Sequence, residues 1–445
     1  MSVYPGLQQR AEAQRPVRVG LIGAGKFGTM FLAQVPRLPG LHVVAIADLQ
    51  VARARAAVRR AGWPEERLAP SYAAALASGR TYLTEDATEL IAGEALEVVI
   101  EATGRPQAGI HHALLCARHG RHVIMVNVEA DALAGPLLAR RAAQAGVQYS
   151  LAYGDQPSLI CELVDWARTS GFTVVCAGKG TKYLPEYHTV TPDSVWPHYG
   201  FTADQVAADD LNARMFTSFL DGTKSAIEMA AVANATGLTP PGGGLQFPPA
   251  GIDDLARVCR PLSDGGQLER AGTVEVVSSL WRDGRPVERD LRWGVYVTFE
   301  AGSDYVRECF AQYGVHTDES GRYAALYRPT HFIGLELGIS VASVCLRGEA
   351  TGAPLGFHAA VVATAKRNLA AGERLDGEGG YTVYGRLTRS AEALAQGALP
   401  IGLAHGVTLV RAVAAGETVR WTDVVVDESD EAVRLRREME AMARP

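Results

Sequence analysis

Two short stretches concentrate side chains that can do chemistry. The run AGKGTKYLPEYH, from Ala177 to His188, holds Lys179, Lys182, Tyr183 and His188 directly after the apolar run FTVVC. The run SFLDGTKSAIEMAAVANATG places Asp221, Lys224 and Glu228 three and four residues apart. On one continuous helix that spacing puts an acid, a lysine and an acid on one face. Such a set suits proton transfer. A carboxylate takes a proton from a hydroxyl, an ammonium polarises a carbonyl oxygen, and lysines on a glycine-rich turn hold an anion. The alternative is a solvated ladder of ion pairs, each worth a few tenths of a kcal/mol. The small apolar residues around the row (Ala226, Met229, Ala230, Ala231) argue for a buried helix instead. There an unsupported charge is costly unless the row faces a cavity.

A third set binds rather than reacts. VRVGLIGAGKFGTMFLAQV reads as strand, turn and helix, with Gly23, Gly25 and Gly28 completing GxGxxG around Lys26 and Phe27. In that context the glycines let backbone approach a pyrophosphate at a helix N-terminus. The next strand, LHVVAIAD, ends at Asp48, about 20 residues beyond the last glycine, where an acid meets ribose hydroxyls. Asp48 argues for NAD. Arg53 and Arg55 could instead hold the 2′-phosphate of NADP, or lie solvated on the following helix.

The surrounding elements must position these groups. Strand and helix patterns alternate through VQYSLAYGD, which predicts an α/β, Rossmann-type, doubly wound parallel sheet over residues 1–155. Ligands sit at the carboxyl ends of such strands, where Thr103, Gly104, Asn127, Glu129 and Asp155 fall. His111, His112, His119 and His122 read as surface or helix-end histidines, because no carboxylate or cysteine shares their spacing. From 156 to 350 the rhythm is lost, and an α+β catalytic and dimerisation domain is expected. In it GLTPPGGGLQFPPAG is a covering loop, GTVEVVSSLWRDGRPVERDLRWGVYVTFEAG a β-hairpin turning at Asp283–Gly284, and YRPTHFIGLELGISVASVCLRGEATG a return to the same core. From 351 to 445, short strands and a repeated AAGE (Ala370–Glu373, Ala414–Glu417) predict a small β-rich module.

Composition sets the bounds. The chain has 445 residues, 21% of them charged, and a net charge of −6 with both signs interspersed, so neither nucleic acid nor an anionic membrane is indicated as a partner. Six scattered cysteines lack metal spacing and fit a reducing compartment. Without a signal-like apolar core or a bilayer-length apolar run, a cytoplasmic protein is expected.

The first domain resembles the NAD(P)-binding domain of homoserine dehydrogenases, including the ATG turn at 102–104. It departs from them where Val128 follows Asn127 in place of a lysine. A longer resemblance, through GLIGAGKFGTMFL, MVNVEADALAGPLLARRA, AGKGTKYLPEYH, SFLDGTKSAIEMAAVANATGL and DLRWGVYVTFE, is to the deoxyxylulose-phosphate-reductoisomerase-like family. The tail resembles SAF modules. The resemblance implies a homodimeric NADPH enzyme that converts 1-deoxy-D-xylulose 5-phosphate, a small phosphorylated sugar, to 2-C-methyl-D-erythritol 4-phosphate. Lys179 and Lys182 would then bind phosphate, Asp221 or Glu228 would act as base, Lys224 would polarise the carbonyl, and Thr103 and Asn127 would lie near the nicotinamide. Tyr183 and His188 join this set. Glu129, Asp155 and Glu228 could hold a divalent metal, though their spacing does not demand one. The competing expectations are a plain dehydrogenase of another sugar phosphate or sugar acid, and a non-enzymatic NAD(P)-binding protein that uses its tail for assembly.

Overall fold

The computed structural model describes residues 2–208 and 211–443. They form two compact units. The first comprises residues 1–162 and 331–355, the second residues 163–330 and 356–445.

The first unit is built on seven parallel strands: β1 (Val17–Ile22), β2 (Leu41–Ala47), β3 (Leu68–Ala69), β4 (Thr81–Thr84), β5 (Val98–Glu101), β6 (His122–Met125) and β7 (Tyr149–Leu151). Their order is β3-β4-β2-β1-β5-β6-β7. The direction of winding reverses between β1 and β5, the switch point at which such sheets open a crevice. β1 and β5 are almost wholly buried, so they read as apolar runs rather than alternating ones. The segment 331–355 does not return to the second domain's core as its sequence suggested. Leu337, Val341 and Ala342 enter the first unit's core beside Val17, Leu21 and Phe31.

The second unit holds a mixed sheet of β8 (Thr173–Thr181), β9 (Thr273–Ser278), β10 (Val295–Glu300) and β11 (Tyr323–Arg328), in the order β11-β10-β8-β9. β9 and β10 are therefore not the hairpin read from sequence, because β8 lies between them, parallel to β9 and antiparallel to β10. The Asp283–Gly284 turn survives only as a small local loop, in which Gly284 N–H bonds the Trp281 carbonyl at 2.8 Å. The helix Thr223–Thr236 is buried on all sides apart from half-buried Lys224.

The tail contributes β12 (Ala359–Ala365), β13 (Arg374–Asp376), β14 (Val383–Arg389), β15 (His405–Leu409) and β16 (Val424–Val425), paired as β12-β14 and β13-β15-β16. The repeated AAGE is one turn built twice. Glu373 accepts the Ala370 N–H and pairs with Arg367, and Glu417 accepts the Ala414 N–H and pairs with Arg411. Among the described residues no helix is long and apolar enough to cross a membrane.

Candidate functional site

In the first unit the three turn glycines do different work. A Cβ on Gly23, whose φ is 97°, would lie 2.5 Å from the Ala102 carbonyl oxygen, and one on Gly28 would lie 2.5 Å from that of Gly23. Both positions exclude a side chain because protein backbone fills the space. A Cβ on Gly25 would meet only the Arg53 guanidinium, at 3.7 Å. Gly25 caps the helix Lys26–Gln34, so its open side is where free N–H groups and the helix dipole favour an anion. The space a Cβ would take is the space a pyrophosphate needs, and the residues fit a dinucleotide.

Asp48 is fixed beside this turn. Its Oδ2 accepts the Ala24 N–H at 2.9 Å and its Oδ1 the Gln50 N–H at 3.0 Å. Of the two arginines, Arg55 pairs with Glu65, while Arg53 reaches the turn. Lys26 is exposed, and Phe27 packs partly onto the core.

At the end of β5, Thr103 donates to Glu101 Oε1 at 2.6 Å and accepts from Asn127 Nδ2 at 3.3 Å. Asn127 Nδ2 also donates to the Arg105 carbonyl, and its Oδ1 caps the helix Val128–Gln144 through Ala130 N–H. Gly104 completes the turn with φ 66°. His112 is not a surface histidine. Its Nδ1 lies 3.1 Å from the buried Glu101 carboxylate, whose other oxygen is buried without a hydrogen-bond partner. Glu129 is half-buried in the first turn of that helix, and Asp155 Oδ1 accepts the Gln156 N–H at 2.9 Å. Among the described residues no three His, Cys, Asp or Glu side chains gather as a metal site.

In the second unit the geometry departs from the sequence reading. AGKGT is not a turn but the end of β8. Its glycines serve packing: a Cβ on Gly178 would lie 1.7 Å from the Glu275 carbonyl oxygen, and one on Gly180 2.0 Å from that of Leu291. Asp221 is not on the helix with Lys224 and Glu228. It ends the preceding helix, Ala213–Leu220, and Gly222, at φ 87°, breaks the row. Each acid takes its lysine from elsewhere. Glu228, 3% exposed, pairs with Lys179 of β8. Asp221, fully buried, pairs at 2.8 Å with Lys366 at the end of β12. Burial pushes the Asp221 carboxyl upward, and Lys366 opposes that shift. Lys182 donates to the His198 carbonyl, and burial lowers its pKa.

Tyr183 and His188 form a bonded couple, with Tyr183 Oη 2.9 Å from His188 Nε2 and His188 Nδ1 2.7 Å from the Asp221 main-chain carbonyl. A carbonyl only accepts, so Nδ1 carries the hydrogen. Burial depresses the imidazole pKa, leaving it neutral with Nε2 bare to accept the phenol's proton. Burial holds the phenol itself up to about 12. Phe247 stacks on Tyr183 with centroids 3.8 Å apart, and Tyr384 stacks on His188 at 4.5 Å. Phe247 adopts φ 51°, a strained region for an aromatic residue. Buried Glu275 holds it there by accepting the N–H groups of Gln246, Phe247 and Val276. Burial raises Glu275 to about 7.

Sequence reasoning missed Glu101, Glu275, Lys366 and Tyr384. The signal for the first three was a lone charged residue in, or directly after, an otherwise apolar strand: VVIEATG, TVEVVS and VVATAK.

Three family models match the chain. Residues 17–126 match the oxidoreductase family with an NAD-binding Rossmann fold, residues 154–337 the catalytic domain of oxidoreductase DRL, and residues 360–425 the SAF domain. No curated protein matches. Solved structures with similarity include an oxidoreductase from Agrobacterium radiobacter in complex with NAD+, L-tartaric acid and magnesium (18% identity, 37% of this chain and 44% of that one, TM-score 0.27). Others are the yvaA oxidoreductase of Bacillus subtilis (14%, 75% and 89%, TM-score 0.38) and myo-inositol dehydrogenase from Lactobacillus casei with NAD(H) and myo-inositol (17%, 39% and 50%, TM-score 0.29). The chain spans half or less of the first and third of these structures. The family models, set on the open glycine turn at Gly25, give this chain the domain content of an NAD(P)-dependent oxidoreductase.

Proposed function

We propose that the protein is a homodimeric, NADPH-dependent reductoisomerase of a small phosphorylated ketose, with 1-deoxy-D-xylulose 5-phosphate as substrate and 2-C-methyl-D-erythritol 4-phosphate as product. The observation that carries this reading is the set of buried proton-handling couples in the second unit: Tyr183–His188, Lys179–Glu228 and Asp221–Lys366. Rearrangement needs a hydroxyl proton removed and a carbonyl oxygen polarised before reduction. Glu228 or Asp221 suits the first task and Lys179 the second, while the Tyr183 hydroxyl, whose proton goes to His188 Nε2, can relay a proton. When bound, the nicotinamide supplies a hydride. Arg53 beside Gly25 favours the 2′-phosphate form of the cofactor.

One observation favours a second reading, a dehydrogenase that reduces its substrate without rearranging it. Lys179 and Lys182 are turned to Glu228 and the His198 carbonyl, so no preformed lysine pair awaits a phosphate. The product separates the two. Incubation with NADPH and the labelled ketose phosphate should give a branched carbon skeleton by ¹³C NMR. An unbranched polyol phosphate would favour the dehydrogenase, and no NADPH oxidation with this substrate would end the first reading.

A further inference from the structure

The tail looks in sequence like an appended interaction module. Its strand β12, however, is followed directly by a buried lysine, Lys366, that reaches the segment carrying His188 and Asp221. Lys366 Nζ donates to the Val190 carbonyl at 2.6 Å and to the Gly380 carbonyl at 2.8 Å, and lies 2.8 Å from Asp221 Oδ2. The ammonium thus hydrogen-bonds two main-chain carbonyls and forms an ion pair with a carboxylate, and its side chain is only 2% exposed. The acceptors are not equivalent. Val190 follows the turn that carries His188, Asp221 offers its main-chain carbonyl to His188 Nδ1, and Gly380 belongs to the tail itself. One ammonium group therefore fastens both the turn behind His188 and the residue that fixes its tautomer. A second bond from the tail reinforces this, since the Gly385 N–H donates to Thr223 Oγ1 at 2.8 Å. A third contact is the Tyr384 ring stacked on the imidazole.

We infer that the SAF-like tail is a working part of the catalytic unit, and that Lys366 is a positioning residue. Acting through Val190 and Asp221, it holds His188 in the Nδ1–H tautomer so that Nε2 faces the Tyr183 hydroxyl. The inference rests on the reading of Tyr183 and His188 as a proton-transfer couple. The groups facing His188 are Tyr183 after β8, Asp221 before the helix Thr223–Thr236, Tyr384 of β14 and Lys366 itself. The two charged ones act oppositely, Asp221 raising and Lys366 lowering the imidazole pKa. A lysine present only as a core peg would carry stability and leave the tautomer indifferent to it.

The test uses the full chain, labelled with ¹⁵N at histidine. The wild-type His188 imidazole should show one protonated nitrogen, Nδ1, and titrate below the ordinary histidine range. Lys366→Met should leave mixed tautomers at His188, and turnover should fall about tenfold or more with a displaced pH–rate profile. Asp221→Asn, nearly equal in shape, should lower the His188 pKa, because the lysine's charge then acts alone. It is the variant to read if Lys366→Met does not fold. A wild-type-like tautomer and pH profile in the Lys366→Met protein, with only a lower melting temperature, would overturn the proposal. So would a His188 titration unmoved by Asp221→Asn. The nitrogen shifts need no substrate. Wild-type protein that fails to turn over the ketose phosphate but shows the expected tautomer behaviour would defeat the functional reading alone.

Discussion

Two glycine-bearing stretches, Gly23–Gly28 in the first unit and Gly178–Gly180 in the second, look alike on paper and differ in space. In the first, one glycine of three opens onto free volume at a helix N-terminus. In the second, both glycines are pressed against neighbouring carbonyls of the sheet. Glycine therefore signals a ligand only where the missing side chain leaves room that no protein atom takes. Elsewhere it lets two stretches of backbone approach each other. The lysines follow the same division. Those of the second stretch are drawn inward to Glu228 and to a main-chain carbonyl, as ammonium groups must be when strand packing leaves them little water.

The sharpest way to break this comparison is to place side chains at both kinds of glycine. Gly178→Val should prevent the second unit from folding, because a Cβ 1.7 Å from a carbonyl oxygen cannot be relieved without separating β8 from β9. Circular dichroism and a thermal melt would show it, and a native-like melt would refute the packing role. Glu228→Ala comes next. It leaves the buried Lys179 charge without its carboxylate, at a cost of about 3–5 kcal/mol, measurable as a lower urea midpoint. Gly25→Val should keep the wild-type midpoint yet weaken nucleotide binding on the order of 100-fold, read by calorimetric titration. Unchanged affinity would remove the dinucleotide from this turn.

A smaller effect concerns pH. Asp131 and Glu275 are fully buried carboxyls, each raised to about 7 by desolvation. Their unfolded values lie near 4, so between about pH 4 and about pH 7 the folded chain holds more protons. Stability therefore falls as pH rises through that window and levels off above it. Urea midpoints across the range should show the slope, and Asp131→Asn should flatten it in part. The smallest expected change is Arg53→Ala, which should weaken NADPH by about 1 kcal/mol or more while sparing NADH. Equal losses for both cofactors would assign Arg53 to the pyrophosphate instead.

The sheet of the first unit was legible because each strand, turn and helix there is local, and the hydrophobic period changes at each boundary. The glycine turn and Asp48 were legible for the same reason. The second unit was not, since its pairings are long-range. Nothing near residue 221 announces a lysine at 366, and nothing between β9 and β10 reveals that β8 lies between them. The Asp221–Lys224–Glu228 row failed on one residue, Gly222, whose left-handed backbone ends one helix and starts the next. His112 was misjudged because its partner, Glu101, sits eleven residues away on a strand rather than at helical spacing.

The return of residues 331–355 to the first unit has a consequence for how the chain is made. Leu337, Val341 and Ala342 belong to the core around β1, but a ribosome reaches them only after residues 163–330. At roughly 5–20 residues per second, the nascent sheet waits on the order of ten seconds or more with part of its apolar face uncovered. Fragments that stop near residue 155 reproduce that interval permanently. They should collect chaperones or aggregate, whereas a fusion of residues 1–162 to 331–355 through a short linker should stay in solution.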